Sequence, residues 1–527
     1  MAGYLTLVLH AHLPWVRHPE HEHFLEESWL YEAITETYLP LLRMLEGWER
    51  DGVPAQITLT LSPPLCAMLQ DPLLKSRYER HLNALIDLAE KETHRTFLDP
   101  TLNPLAERYH REFTAIRELW NSYEGNLVRA FARLQDLGRI EIITCAATHA
   151  LLPLLAAQPE LIRAQVLIGR DHYRSCFGRD PRGIWLPECA YVPEIEPALH
   201  EANIRWFITE AHGVLHGKPQ PRYGIFAPIL TENGIAVFGR DLDSARQVWS
   251  RHEGYPGDPR YRDFYKDVAF ELDYEYLKPY FPAPQRTFTG IKYHRITGGA
   301  EKAVYDPAAA SEAARGHAEH FLSARIAHAA EAERIMERPP ILMAPYDAEL
   351  FGHWWYEGPQ FLDHLARSAA LRPELRLTTP ETYLAENPAH QIAEPAASSW
   401  GEEGYWKVWL NETNRWIFPH LNIAGERMIE MVSRFPNPDA LTHRALQQAG
   451  RELLLAQSSD WPFILRTNTS PEYARRRVKD HLLRFITLHE QITTTQVDEA
   501  WLANAEAIDN LFPDLNISYW GKPAPVQ

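Results

Sequence analysis

YLTLVLHAHLP, residues 4–14, decides how the chain is read. Its first seven residues form a near-continuous apolar run, the pattern of a strand buried on both faces in a parallel sheet. No basic segment precedes the run, no small-residue cleavage site follows it, and two imidazoles interrupt it. It therefore reads as a buried strand and not as a signal peptide. The same pattern returns along the chain in QITLTLSP (56–63), IEIITCAATH (140–149), GIWLPECAY (183–191), RWFITE (205–210), GIAVFGRD (234–241), PILMAPYDAE (340–349) and LRLTTP (375–380). Helical spacing occupies 24–50, 158–176 and 310–336 between them. Strands alternating with helices predict an α/β fold with a parallel sheet, and the spacing suits a barrel better than an open sheet.

Two regions break the alternation. Residues 70–138 are charged and helical without a strand, too long for one crossover, and read as a helical insertion. Residues 384–403 are rich in Pro, Ala, Ser and Glu and read as a connection. Beyond it, 421–434, 438–457, 470–492 and 497–510 are amphipathic and helical. The expected domains are a barrel over 1–395 carrying the insertion, and a C-terminal helical domain over 396–527.

The 527 residues carry 53 basic and 70 acidic side chains, a net charge of −17 that repels phosphate backbones and anionic lipids. Nucleic acid and membrane surfaces are excluded as expected partners. No uncharged apolar run approaches the roughly 20 residues needed to span a bilayer. Cys66, Cys145, Cys176 and Cys189 contain no close pair and read as buried thiols of a reducing, cytoplasmic compartment. The 16 tryptophans fall largely in clusters, which directs attention to binding surfaces.

Barrel enzymes place their chemistry at the C-terminal ends of strands. His10 and His12, two apart on an extended segment, share one side. They could contact substrate, begin a zinc site, or form a structural pair. His149 closes a strand in the same way. Glu188 follows an apolar run between Trp185 and Tyr191, where a salt-bridged structural glutamate is the plain alternative. Asp347 ends another run, with His353, Trp354 and Trp355 close behind. Two carboxyl groups among aromatic platforms are the equipment of glycoside chemistry, since indoles stack on the CH faces of sugars. Trp400, Trp406 and Trp409 lie in a loop-like segment, where core burial is not expected for all of them.

HAHLP, TCAATH, WLPECAY and YDAELFGHWWYEG, in this order, resemble the conserved regions of glycoside hydrolase family 57, and are most similar to its α-1,4-glucan branching enzymes. SSDWPF, EESWLYEA (26–33), QVWSRHEGYPG (247–257) and VWLNE (408–412) resemble the same group. The resemblance implies an incomplete (β/α)7 barrel with a helical insertion and a C-terminal helical domain. It implies Glu188 as nucleophile, Asp347 as general acid/base, and His10, His12, His149 and His353 around the reacting sugar. Arg240, Gly257, Trp409 and Asp460 match glucan-binding positions, and Trp185, Trp354 and Trp461 are read as substrate contacts. An α-glucan such as amylose or glycogen is the implied substrate, with no metal or organic cofactor.

The stretch 213–234 looks shorter than the corresponding loop of the branching enzymes, with Tyr223 as the candidate lid tyrosine. A short lid would admit water, so an α-amylase-like hydrolase or a 4-α-glucanotransferase is the alternative. A metal-dependent deacetylase and a non-catalytic glucan-binding protein are rivals from other classes. The first would leave WLPECAY without a purpose, and the second would leave both carboxylates idle.

Overall fold

Gly3–Ala11 (β1) is buried along its whole length. Leu5, Leu7, Val8 and Leu9 are at most 1% exposed, and burying each stabilises the fold by about 1.5–3 kcal/mol. The protein is described by a computed structural model over residues 3–250, 253–281, 284–299 and 301–521. Arg251 and His252, within QVWSRHEGYPG, lie outside the described residues.

The strands that follow are Ile57–Leu61 (β2), Ile140–Cys145 (β3), Gly183–Trp185 (β4), Trp206–Thr209 (β5), Ile229–Leu230 (β6), Ala236–Gly239 (β7), Ile341–Asp347 (β8), Leu375–Leu377 (β9) and Gln391–Ile392 (β10). Helical connections join them, and the class is α/β: an incomplete (β/α)7 barrel with a C-terminal helical domain. The chain falls into two compact units built from discontinuous segments. One takes Met1–Leu59, Met68–Glu141 and Asp241–Glu386; the other takes Thr60–Ala67, Ile142–Arg240 and Asn387–Gln527.

In the first unit β1 pairs in parallel with β8 and, on its other register, with β9. The β1–β8 register runs from Tyr4 opposite Ile341 to His10 opposite Asp347. The inserted region forms three helices, Pro72–Arg95, Asn103–Ser122 and Leu127–Asp136. The Asp71 side chain caps the first by accepting from the Leu74 amide, and Pro72 supplies a first-turn residue that needs no donor. Helix Pro307–Glu333 begins in the same way, with Asp306 accepting from Ala308 and Ala309.

The helix after β1 contains one wide turn. Glu27–Ala33 and Leu39–Asp51 are α-helical, and Ile34–Tyr38 between them is π-helical. Such turns interrupt the helical ladder and cluster at functional sites. Gly352 packs against this turn with φ 119°, and a Cβ there would stand 1.9 Å from the Glu36 carbonyl oxygen. Only glycine allows the chain after β8 to approach so closely.

In the second unit β3, β4, β5 and β7 pair in parallel succession. β6 runs antiparallel to β7, and β10 adds in parallel to β6. Its helices include Pro159–Phe177 and, further on, Ile417–Arg434, Ala440–Ala456, Asp460–Thr467, Pro471–Thr493 and Glu499–Ile508.

Three sequence expectations are corrected here. The strand over 183–191 ends at Trp185, because Pro187 opens a 3-10 turn. Residues 384–403 are not purely connecting: they hold the end of helix Pro380–Glu386 and strand β10. The strand over 140–149 ends at Cys145, and His149 stands four residues past it on a turn in which its N–H donates to the Ala146 carbonyl at 3.2 Å.

Gly352→Ala is expected to cost about 3 kcal/mol or more, because the contact is with backbone and φ is positive. Urea unfolding measures this, and an unchanged midpoint would refute the close approach.

Candidate active site

Strand β4 delivers Glu188 into a strained turn. Pro187–Cys189 forms one 3-10 turn in which Glu188 has φ 62° and ψ 22°, and Cys189 has φ 50°. Left-handed backbone is costly for non-glycine residues and persists only where surroundings impose it. Here the segment 398–400 does so. Tyr191 N–H donates to the Ser398 carbonyl at 2.9 Å, and Trp400 N–H donates to the Glu188 carbonyl at 3.1 Å.

The Glu188 side chain is held at both oxygens. Trp400 Nε1 donates to Oε2 at 2.8 Å, and Ser459 Oγ donates to Oε1 at 3.0 Å. His149 Nδ1 lies 2.8 Å from the same Ser459 hydroxyl and 3.8 Å from Glu188 Oε1. A hydroxyl has one proton; with that proton on Glu188, His149 Nδ1–H must be the donor to Ser459. His149 is itself left-handed, at φ 58°, and its carbonyl accepts from Ser459 N–H at 2.9 Å. The backbone strain at 149 and 188 thus brings strand ends from β3 and β4 to the start of helix Asp460–Thr467.

Indoles surround this carboxylate in layers. Trp400 is half-buried and meets Trp185 edge-on, with ring centroids 5.1 Å apart. Arg240 stands over Trp400 at 5.5 Å and pairs with Glu210 at 3.0 Å. Trp409 is 2% exposed and packs with Leu151 and Ala190, while Trp400, Trp406 and Val408 lie against that cluster. Burial of Trp409 differs from the expectation for its loop-like segment: many small local turns fold the loop back on its own indoles. Trp185 and Trp461 are also interior, and Trp461 Nε1 donates to the Leu455 carbonyl at 2.8 Å. Asp460, half-buried, accepts from Ser458 Oγ.

In the other unit, Asp347 is the half-buried last residue of β8, opposite His10 in register. The His10 and His12 rings stack with centroids 5.6 Å apart and planes 21° apart. Glu349 accepts from Tyr38 Oη at 2.5 Å and from His12 N–H at 3.3 Å. Burial outweighs these hydrogen bonds and pushes its carboxyl up to about 7. His353 Nδ1 meets Glu36 Oε2 at 2.5 Å, and its Nε2 is 3.7 Å from Glu32 Oε2. Burial raises the pKa of Glu36, but Lys292, His353 and Arg262 overcome that and hold it at about 2. Burial and the adjacent Glu36 charge push Glu32 up to about 8. One anionic and one neutral carboxyl therefore bracket the His353 ring at neutral pH.

Trp354 is 46% exposed and meets Trp249 edge-on at 5.9 Å. Gly257 lies in an exposed turn, Tyr255–Gly257, and can offer only backbone. The 213–234 stretch is tied into the sheet. Lys218 and Glu394 exchange backbone hydrogen bonds at 2.9 and 2.8 Å, and Ile229–Leu230 is strand β6. Tyr223 is half-buried, under the Arg222 guanidinium at 5.1 Å. Sequence reasoning missed the groups that hold the named ones: Ser459, Glu210, Glu36, Glu32 and Glu349. Ser459 had a signal, since it adjoins Asp460 in SSDWPF.

Two further groups have metal-like composition within single units. Asp241, Asp243 and His328 converge, but Arg325 already donates to Asp241 at 3.2 Å. Glu452, His481 and Asp509 are buried together, with Arg484 on Asp509 at 2.7 Å. Arginine supplies the positive charge in both.

In one unit a carboxylate is fixed on a left-handed turn among indoles, and in the other a carboxyl and imidazoles stand at strand ends; each is the kind of equipment that carbohydrate-active enzymes of the barrel class carry. The glycosyl hydrolase family 57 model matches residues 6–304, and the C-terminal model of 1,4-alpha-glucan branching enzymes matches 420–520. The chain belongs to glycosyl hydrolase family 57. It is 36% identical to a 1,4-alpha-glucan branching enzyme of Thermococcus kodakarensis, over 97% of this chain and 78% of that protein. Among solved structures it resembles alpha-amylase AmyC from Thermotoga maritima, with TM-score 0.93 and 42% identity over 99% of this chain and all of that one. It also resembles the family 57 branching enzyme of Pyrococcus horikoshii, with TM-score 0.89 and 34% identity over 100% and 98%.

Glu349 yields a pH prediction. Its carboxyl ionises near 4.5 in the unfolded chain and near 7 when folded. Stability contributed below pH 4.5 is therefore lost as pH rises from 4.5 through 7. The Tm of the protein should fall relative to that of Glu349→Gln across that interval. A constant difference between the two melts would contradict the burial argument.

Proposed function

We propose that the chain is a 1,4-α-glucan branching enzyme that works with retention of anomeric configuration. The observation that carries the chemistry is the Glu188 carboxylate, fixed by Trp400 at one oxygen and Ser459 at the other. The branching assignment is supported by relatives spanning nearly the whole chain and by the C-terminal model match.

In this reading Glu188 attacks the anomeric carbon while Asp347 protonates the departing glycosidic oxygen. The leaving chain departs, and a glycosyl ester on Glu188 remains. Asp347, now a base, takes the proton from a glucan 6-hydroxyl, whose oxygen displaces Glu188 and forms the α-1,6 bond. His149 and Ser459 keep the nucleophile in one orientation, and the bond from Ser459 weakens as negative charge leaves Glu188. His10, His12 and His353 are assigned to sugar hydroxyls, and the open-faced Trp354 and half-buried Trp400 to stacking. Arg240, Gly257 and Asp460 are assigned to chain binding. Trp185, Trp409 and Trp461, being interior, are assigned to it through the surfaces they support. The functional partition follows: a catalytic barrel to 395, the 70–138 insertion, and a helical domain from 396. Glycogen synthesis in the cytoplasm is the proposed setting, supported by the substrate class and by four cysteines that are thiols and not disulfides. The mechanism requires no metal.

A hydrolytic outcome is the second reading, favoured by the 42% identity to a protein described as an alpha-amylase. If water reaches the glycosyl ester before a glucan hydroxyl does, the chain is cut and not branched. Amylose incubated with the enzyme and then debranched separates the two. New short chains released by debranching are the expected result; growth of reducing ends without them would show a hydrolase. Chelator should leave the activity unchanged, and stoichiometric zinc with activity lost to chelator would point to the deacetylase class instead.

A further inference from the structure

The helical insertion and the loop after β1 enclose a pocket of about 170 Å³. Its wall includes Phe24, Glu27, Arg77, Arg80, His81 and Tyr280, none of them a catalytic or binding candidate named above. Part of that wall is rigidly prebuilt. Glu27, 1% exposed, accepts from Tyr31 Oη at 2.8 Å, from Arg77 Nη1 at 2.5 Å and from His18 N–H at 3.1 Å. Arg77 also donates to the carbonyls of His18 and His21. These groups are saturated with one another.

His81 is not. It is 7% exposed, and its ring lies 5.2 Å from that of Tyr31. Among the described residues, neither of its ring nitrogens has a hydrogen-bond partner. The residue lines the pocket, so those nitrogens can hydrogen-bond with whatever fills it. Burial lowers its pKa to about 4, so at neutral pH it offers one donor and one acceptor. Arg80 is held only loosely, at 3.4 Å from the Glu22 carbonyl and 3.5 Å from His23 Nδ1.

The lining charges cancel: Glu22 and Glu27 stand against Arg77 and Arg80. A neutral ligand with several hydroxyls matches that balance better than an anion or a cation. Phe24 and Tyr280, both half-buried, offer apolar surface for the CH face of a ring. The volume is below the roughly 300 Å³ at which pockets for drug-sized ligands begin, which suits a single sugar unit.

We propose that this pocket is an accessory site that binds one glucosyl unit of an α-glucan chain, with His81 and Arg80 on its hydroxyls and Tyr280 against its ring. The identity of the ligand rests on the function proposed above. The enzyme would thereby hold its polymeric substrate at a second point, raising the local concentration of chain.

Two variants test it in the full-length protein. Tyr280→Ala removes a half-buried ring without touching the saturated wall, and His81→Phe fills the pocket while keeping an aromatic. Retention in native gels containing glycogen measures affinity, and turnover of amylose at saturation measures the catalytic site. Both variants should keep kcat within about twofold and bind glycogen at least about fivefold more weakly. If His81→Phe fails to fold, Tyr280→Ala alone decides. Glycogen affinity equal to that of the unaltered enzyme would overturn the proposal and leave a water-filled pocket. Loss of retention in the variants, with no amylose turnover in any protein, would support the pocket and overturn the proposed function instead.

Discussion

Glu188 cannot occupy its position without help. Its backbone is left-handed, its carboxylate is half-buried, and the residue before it is a proline that has ended the strand. The opposing forces come from two places far along the chain. Segment 398–400 binds the turn through two backbone hydrogen bonds and supplies the Trp400 indole N–H, and Ser459 supplies the hydroxyl. Strain that costs on the order of 1–3 kcal/mol per residue is held in place by these contacts. The same contacts aim the carboxylate. Fold and chemistry meet in one hydrogen-bonded turn.

The other unit solves a different problem, the placement of an imidazole. His353 follows β8 by six residues, and only the glycine at 352 lets its segment press onto the π-turn that carries Glu36. Glu36 then receives His353 Nδ1 at 2.5 Å, with Lys292 and Arg262 keeping that carboxyl ionised in the interior. A buried charge network of this sort adds little net stability. Its value is orientation: the ring is fixed and Nδ1 is committed as donor, which leaves Nε2 for other work. Glu32, neutral near pH 7, completes the bracket without adding a second negative charge.

Much of this was legible before any coordinates. The apolar runs marked the strands: β1 and β8 end at Ala11 and Asp347, beside the expected His10 and Asp347, while the runs read over 140–149 and 183–191 stop at Cys145 and Trp185 and leave His149 and Glu188 on the turns beyond. The insertion was legible because 71–138 lacks any strand pattern, and Asx–Pro pairs at 71–72 and 306–307 mark helix starts by elementary capping chemistry. The supporting groups were not legible. Glu36 is an ordinary glutamate in helix-like text, and Glu349 sits at the end of a strand-like run; nothing local distinguishes acids whose partners, His353 for one and Tyr38 and the His12 N–H for the other, lie more than 300 residues away. Trp409 was misjudged for the same reason: its segment has the polar, Gly-containing composition of a surface loop, and its burial depends on Leu151 and Ala190. Local pattern reports the strand and its end; partners distant in sequence decide what the end can do.

The central claim is that the carboxylate held by Trp400 and Ser459 is the group that bonds to the sugar. Glycosyl transfer from a maltosyl fluoride donor to Asp347→Asn enzyme, quenched in acid and mapped by peptide mass spectrometry, tests it directly. Activation by fluoride removes the need for the acid, while loss of the base slows breakdown of the ester. The account predicts one maltosyl adduct, on the peptide containing Glu188, that is absent from Glu188→Gln. Fluoride release by the Asp347→Asn enzyme with no adduct at any carboxylate, or an adduct on another residue, would contradict it.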